Sequence, residues 1–272
     1  MTNEFRHASA AIMGRREHQE DAAAFAKADV TRRAANGEAI GNGTVGELIA
    51  VLADGMGGHV AGALASTTAC RSYIDTYTQT RGPHRAKLAA ALTAANQAIA
   101  SAVERDQALD GMGCTLLGAS FGAAGLRWVS VGDSLLYLFR DNKLYQLNEN
   151  HSLAPVLDRL ADLGEIEREA ALEHPRRHFL RSALTGAEIE MVDLTDHCLP
   201  LQPGDWVLLA SDGLETLSDK ALANLLAEHR HQTPEQLVEA VIAAIEGAAD
   251  PYQDNTTVMA VQPMVSYAVA AE

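Results

Sequence analysis

Leu48-Ile49-Ala50-Val51-Leu52-Ala53-Asp54-Gly55 is the stretch on which the fold turns. Six apolar residues without a polar break predict a short buried strand, and the run stops on a carboxylate followed by glycine. Trp206–Ala210 has the same form far downstream, an apolar run that ends at Ser211-Asp212-Gly213. A strand-rich middle lies between them. Thr115–Phe121, Leu126–Val131, Leu135–Arg140 and Lys143–Leu147 are short runs separated by glycine-containing or Asp-Asn turns such as Arg140-Asp141-Asn142-Lys143. Such close spacing predicts an antiparallel meander, because parallel strands need a long crossover.

Helices flank the strands. Ala61–Thr78 and Arg85–Gln107 are long, Ala-rich and free of internal proline, with a break at Arg81-Gly82-Pro83, which predicts two helices joined by a turn. Ser218 can cap a helix running to about His229, and Thr233-Pro234-Glu235-Gln236 offers a capping box with proline at the first helical position before Leu237–Ala249. The last strand, Thr256–Val261, opens directly after Asp254-Asn255. Asn148–Pro200 is more polar, with a helix expected over Ala154–Leu163, and reads as an excursion from the sheet. No repeat or low-complexity linker marks a boundary. The expectation is one α+β domain over residues 1–272, sheet packed on sheet with helices outside.

Composition narrows the function classes. The chain has 272 residues, 47% hydrophobic and 21% charged, enough for a sizeable core and unlike a disordered or fibrous sequence. Acidic residues number 36 against 21 basic, a formal net charge of −15 that repels nucleic-acid backbones and anionic membranes. Cys70, Cys114 and Cys198 are widely spaced and odd in number, which argues against a disulfide framework or a Cys-based zinc cluster. With no signal-peptide pattern and no run of apolar residues long enough to span a bilayer, a soluble cytoplasmic protein is expected.

Any single Asp-Gly pair is ordinarily a turn. Four placements together suggest more: Asp54 and Asp212 at strand ends, Asp133 in the turn Val131-Gly132-Asp133-Ser134, and Asp254 just before the last strand. Carboxylates gathered on one rim of a sheet system repel one another unless cations sit between them, and hard oxygen-binding ions, Mg²⁺ or Mn²⁺, are the natural partners. Gly55 would let its backbone approach such a ligand. A nucleotide-binding glycine loop at Gly55-Met56-Gly57-Gly58 is disfavoured, because the third glycine of the dinucleotide fingerprint is missing and Asp54 would face the phosphates.

Seven blocks in order resemble the metal-dependent serine/threonine protein phosphatases of type 2C. They are Arg16-Glu17-His18-Gln19-Glu20-Asp21, Asp54-Gly55-Met56-Gly57-Gly58-His59, Gly111-Met112-Gly113-Cys114-Thr115-Leu116 and Val131-Gly132-Asp133-Ser134, followed by His151-Ser152, Ala210-Ser211-Asp212-Gly213 and Asp254-Asn255-Thr256-Thr257-Val258. The resemblance implies a four-layer α-β-β-α sandwich with two central antiparallel sheets and a flap at about 148–200. It also implies that Asp54 bridges two metal ions, that Gly55 lends its carbonyl to one, and that Asp212 and Asp254 complete the shell of the other. Glu20 and Asp21 would act largely through bound water, Asp133 with Asp212 would form a third-metal site, and Arg16 would bind phosphate. The implied chemistry is hydrolysis of phosphoserine and phosphothreonine by in-line attack of a metal-bridging hydroxide, with no phosphoenzyme. Phosphoproteins would be the substrates, a bacterial Ser/Thr kinase the opposing partner, and a monomer suffices. A catalytically silent phosphoprotein-binding regulator on the same fold is the alternative.

Departures from the family pattern matter. Eukaryotic relatives carry a histidine two residues after the bridging aspartate, as acid for the leaving oxygen; Met56 stands there, as is common in bacterial relatives. His59 nearby is read as structural or capping. Asn148-Glu149-Asn150-His151-Ser152 replaces Thr-x-Asp-His-Ser, and Leu180-Arg181-Ser182-Ala183-Leu184 replaces a Thr-Arg-Ala-Leu pattern. A cysteine-based phosphatase is disfavoured, since Gly204 occupies the arginine position after His197-Cys198 and Cys198 reads as a buried thiol. Ala28–Gly46 reads as a long hairpin loop, or alternatively as a basic contact through Thr31-Arg32-Arg33.

Overall fold

The computed structural model describes residues 4–33, 39–58 and 60–264, with the side chains of 29–33 and 39–45 outside the described set. In chain order the strands are β1 (Phe5–Ile12), β2 (Ala22–Arg33), β3 (Ala39–Ala53), β4 (Gly55–Met56), β5 (Gly113–Cys114), β6 (Leu116–Gly122), β7 (Gly125–Val131), β8 (Leu135–Arg140), β9 (Lys143–Gln146), β10 (Asp193–Leu194), β11 (Trp206–Ala210) and β12 (Thr256–Pro263). The helices are α1 (Val60–Gln79), α2 (His84–Arg105), α3 (Ala154–Asp162), α4 (Arg168–Leu172), α5 (Asp219–Glu228) and α6 (Pro234–Ala248). One antiparallel sheet has the order β1-β12-β11-β8-β9, the other β10-β7-β6-β3-β2, and β4 pairs with β5 at the rim.

The unbroken apolar runs are explained by burial on both faces. Along β3, Leu48, Ala50 and Leu52 enter the core between the sheets, while Ile49, Val51 and Ala53 face the layer that holds Ala65, Ala69 and Tyr73 of α1 and Leu88, Ala95 and Ile99 of α2. Along β11, Val207 and Leu209 point inward between the sheets, and Trp206, Leu208 and Ala210 pack with Leu222 and Leu226 of α5 and Leu237, Val241 and Ile245 of α6. Period-two alternation thus separates two buried environments. Three apolar layers result, and the α-β-β-α order follows.

Local signals held at the helix ends and the tight hairpin. Ser218 caps α5 through the Ala221 amide, and Thr233 with Gln236 forms the reciprocal capping box of α6 with Pro234 at its start. Asp141 and Asn142 join β8 to β9 with φ of 53° and 59°, the left-handed pair that a two-residue hairpin requires.

Two expectations are corrected. Ala28–Gly46 carries a ladder in place of a loop: β2 and β3 stay in register from Ala28↔Glu47 through Thr31↔Thr44, and after a register shift they pair again at Arg33↔Ala39. Gly41-Asn42-Gly43 lies inside β3, between the paired residues Ala39 and Thr44. Residues 34–38, and the side chains of Arg32 and Arg33 on which the basic-contact reading depends, lie outside the described residues. Cys198 is half-buried, whereas Cys70 and Cys114 are buried; all three are free thiols.

Residues 147–205 leave the sheet after β9 and return at β11. Their anchors are the bridges Cys114↔Leu184, Leu126↔Leu199 and Ser152↔Leu180, the short strand β10 on β7, and the fork of Arg177 on Asp158 at 2.9 Å through both nitrogens. No helix among the described residues is long and apolar enough to cross a membrane.

Candidate active site

The strand ends gather the carboxylates. Asp54 directly follows β3, Asp212 follows β11 after Ser211, Asp254 precedes β12, Asp133 sits in the β7–β8 turn, and Glu20 and Asp21 precede β2. Arg16, Glu20, Asp54, Gly55, Asp133, Asp212 and Asp254 all line one cleft of about 920 Å³. Asp21 is close behind: Ser211 Oγ donates to its Oδ2 at 2.7 Å, while its Oδ1 is buried without a partner.

Both Asp-Gly pairs need glycine because main chains cross there. A Cβ on Gly55 would lie 2.2 Å from the Gly62 carbonyl oxygen and 2.6 Å from that of Glu20; one on Gly213 would lie 2.3 Å from the Asn255 carbonyl oxygen. Neither glycine has the positive φ of a glycine turn. These crossings fix the aspartates. The Asp54 amide donates to Thr115 Oγ1 at 2.9 Å, the Thr115 amide donates to the Asp54 carbonyl at 2.8 Å, and Thr115 and Ser134 share a hydroxyl contact at 2.8 Å.

The resulting electrostatics oppose full ionisation. Burial pushes Asp54 well above the usual carboxylate range, aided by Asp21, Asp212, Asp133 and Asp254. Burial and then Asp254 raise Asp212, whose carboxyl is within hydrogen-bond reach of Asp54. Burial raises Asp21 to about 6 against the hydroxyls of Ser211 and Thr257, and burial with Asp212 raises Asp133 to about 7. A proton or a cation must sit between carboxyls held this close. Arg16 supplies one positive charge, as its guanidinium is hydrogen-bonded to Asp254.

These residues fit hard divalent cations. The donors are all carboxylate or carbonyl oxygen, their ionised forms are destabilised without a counter-charge, and Asp21 Oδ1 is an orphaned acceptor beside them. Among the described residues no group of three or more His, Cys, Asp or Glu side chains is arranged, as it stands, to hold a metal ion. The carboxyls instead form pairs, Asp54 with Asp212 and Asp254 with Arg16.

The expected residues are therefore brought together, with Arg16 on a carboxylate. Met56 also lines the cleft, its methyl close to Gly113, and has no proton to give. His59 lies outside the described residues. Several supporting residues carried no expectation of their own. Asn255 accepts from the Glu20 amide at 2.8 Å and donates to the Met13 carbonyl at 2.8 Å, tying the segment that carries Arg16 and Glu20 to β12. Gln253, buried, donates to the Gly213 carbonyl and Thr256 Oγ1 and accepts from Thr216. His178 of the excursion lines the cleft with Nδ1 3.9 Å from Glu215. Only the polar Gln-Asp-Asn-Thr run before an apolar strand hinted at the first two.

Comparison with known proteins bears on this geometry. The family model described as Protein phosphatase 2C matches residues 38–249. The chain belongs to the protein phosphatase 2C family. It is 38% identical over 230 residues to the serine/threonine protein phosphatase PstP of Mycobacterium tuberculosis, covering 82% of this chain and 41% of that one. It thus spans less than half the length of that relative. With the serine/threonine phosphatase Stp of Listeria welshimeri the identity is 35% over 220 residues, covering 79% of this chain and 84% of that one. A crystal structure of the catalytic domain of PstP in complex with two manganese ions superposes with a TM-score of 0.74 at 30% identity, covering 97% of this chain and all of that one. The four-layer architecture of this protein phosphatase 2C member is accordingly that of solved family structures.

Proposed function

We propose that the chain is a metal-dependent phosphatase acting on phosphoserine and phosphothreonine in proteins. The observation that carries this reading is the crowding of Asp54, Asp133, Asp212 and Asp254 in one cleft, with Asp54 and Asp212 in hydrogen-bond reach. Asp54, Asp212, Asp254 and the Gly55 carbonyl would hold two divalent ions, Mn²⁺ or Mg²⁺, with Glu20 and Asp21 supporting them through water; Asp133 with Asp212 would hold a third. When bound, such ions supply Lewis acidity that activates water near neutral pH and offsets the charge of a phosphoryl group.

The chain's own residues do the rest. Arg16 is exposed at the cleft and presents a planar fork that matches two phosphate oxygens. Taking up a phosphate would require it to leave Asp254, whose carboxylate is then free for a cation. Thr115 and Ser134 hold Asp54 in place from behind. A cytoplasmic monomer opposing a Ser/Thr kinase completes the reading.

Hydrolysis of p-nitrophenyl phosphate and of a phosphothreonine peptide, with and without Mn²⁺, tests it. Metal-dependent turnover that Asp54→Asn abolishes is expected. Absence of such turnover in the wild type, with phosphopeptide binding retained, would establish the silent regulator instead.

A further inference from the structure

His151 is fully buried, and the chemistry proposed above gives it no task. Its surroundings are specific. The Gly132 amide donates to its Nδ1 at 3.2 Å and its own amide donates back to the Gly132 carbonyl at 3.0 Å. On its other side, the Arg181 amide donates to the His151 carbonyl at 2.8 Å, Ser152 bridges to Leu180, and the Leu153 amide donates to the Phe179 carbonyl at 3.0 Å. A ring nitrogen that accepts from an amide carries no proton, so the proton resides on Nε2, which is buried without a partner.

The two segments joined at His151 both reach the cleft. Gly132 has φ of 105°, and a Cβ there would lie 2.6 Å from Thr115 Cγ2, so the turn is pressed against the residue that holds Asp54. The next residue, Asp133, lines the cleft; so does Arg181, whose side chain is exposed. Of these contacts the ring supplies the one from the Gly132 amide, while the bonds to the Gly132 carbonyl and from the Arg181 amide are main-chain, so residue 151 holds the Arg181 segment by its backbone and the turn by its imidazole as well.

We infer that His151 is a positioning residue that clamps the Gly132-Asp133 turn to the Leu180-Arg181 segment, so that one carboxylate and one guanidinium face the same cleft. The inference rests on the phosphatase reading for its kinetic consequence but not for its geometry. Loss of the Nδ1 acceptor frees the turn from the main-chain anchor that holds the Arg181 segment, so that Asp133 and Arg181 no longer face the cleft in a fixed relation, which raises KM for a phosphopeptide and weakens cation binding at Asp133.

The test compares His151→Asn, whose Oδ1 falls where Nδ1 was, with His151→Gln, whose polar atoms reach the Nε2 position instead. Mn²⁺ binding by calorimetry, exchange protection of the Gly132 and Arg181 amides, melting temperature, and KM and kcat on the phosphothreonine peptide are measured for both. His151→Asn should retain amide protection and KM. His151→Gln, at comparable melting temperature, should lose protection at the Gly132 amide while the Arg181 amide, bonded to the main-chain carbonyl of residue 151, stays protected; it should also raise KM about tenfold with a smaller change in kcat, and bind the weakest Mn²⁺ equivalent about tenfold less tightly, the scale of one buried hydrogen bond. Equal behaviour of the two variants, or losses that follow melting temperature alone, would overturn the inference. If the wild type has no turnover, exchange and calorimetry still decide it, so failure of the activity and failure of the clamp remain distinct.

Discussion

Asp133→Asn should stabilise the protein in chelator, against the usual effect of altering a residue in a catalytic cleft. Asp133 is buried at 7% exposure, and its pKa rises from 3.8 to about 7 through burial and the charge of Asp212. A carboxyl displaced this far costs the folded state on the order of 4 kcal/mol once ionised, at about 1.4 kcal/mol per pH unit. The sign depends on pH. Below about pH 4 the carboxyl is protonated in both folded and unfolded chains, and Asn, its near-isostere, gains nothing. Between about 4 and 7 the unfolded chain has lost the proton that the folded chain keeps, so the wild type loses stability and the variant does not. Above 7 the gap levels off. At roughly 2–4 °C per kcal/mol for a chain of this size, the plateau is on the order of 10 °C in melting temperature. Scanning calorimetry in chelator at half-unit steps from pH 4 to 8 measures it. Saturating Mn²⁺ should shrink or reverse the gap, since a bound ion favours the wild type by about 2.7 kcal/mol at a hundred times Kd. A gap that is flat with pH, or a less stable variant throughout, would refute the crowded-carboxylate account.

Three further outcomes concern the helix layer. Glu47 is 2% exposed and meets Lys87 Nζ at 3.2 Å, His84 Nδ1 at 2.9 Å and the Tyr77 hydroxyl at 3.0 Å; Lys87→Met strips that carboxylate of a partner and should cost about 3–5 kcal/mol by urea denaturation. Burial alone would raise Glu47, yet the His84 hydrogen bond and the Lys87 charge bring it below its ordinary 4.5, so its stabilisation is present above that pH and lost as pH falls through the lowered value, a limb that Glu47→Gln should abolish. The Tyr73 hydroxyl is buried with no partner, so Tyr73→Phe should raise stability by about 1 kcal/mol or more; a loss instead would mean that the hydroxyl is hydrogen-bonded through water.

Much of the fold was legible because its strongest signals are local. Trp206–Ala210 is apolar at every position since both faces are covered, and Thr233-Pro234-Glu235-Gln236 forms its cap within four residues. β1 was not legible. Phe5–Ile12 is an edge strand, half-exposed, and Arg6, His7 and Ser9 break its apolar pattern; its partner is β12, more than two hundred residues away, in the register Ala8↔Ala260. The extension of β2 and β3 was hidden for a related reason. Gly41-Asn42-Gly43 carries a loop composition and lies at the irregularity between Thr31↔Thr44 and Arg33↔Ala39, within a β2–β3 pairing that no local window contains.

The site shows the same division, with an energetic consequence. Which carboxylates meet could be read from strand ends, because an apolar run that stops at Asp places that side chain on the rim. What holds them together could not, because Asn255 reaches Glu20 and Met13 across more than two hundred residues, and Arg16 reaches Asp254 across a similar span. A net charge of −15 spread over a surface is weakly felt through water and salt. Asp54, Asp133 and Asp212, held where burial is the largest cause of their raised pKa values, are not so screened. Their ionisation opposes folding until a counter-charge arrives, so removing cations and lowering pH should act in opposite directions on the same carboxyls. Chelator at pH 8 should lower the melting temperature, and part of that loss should return at pH 6 by protonation alone, where Asp133 is mostly neutral.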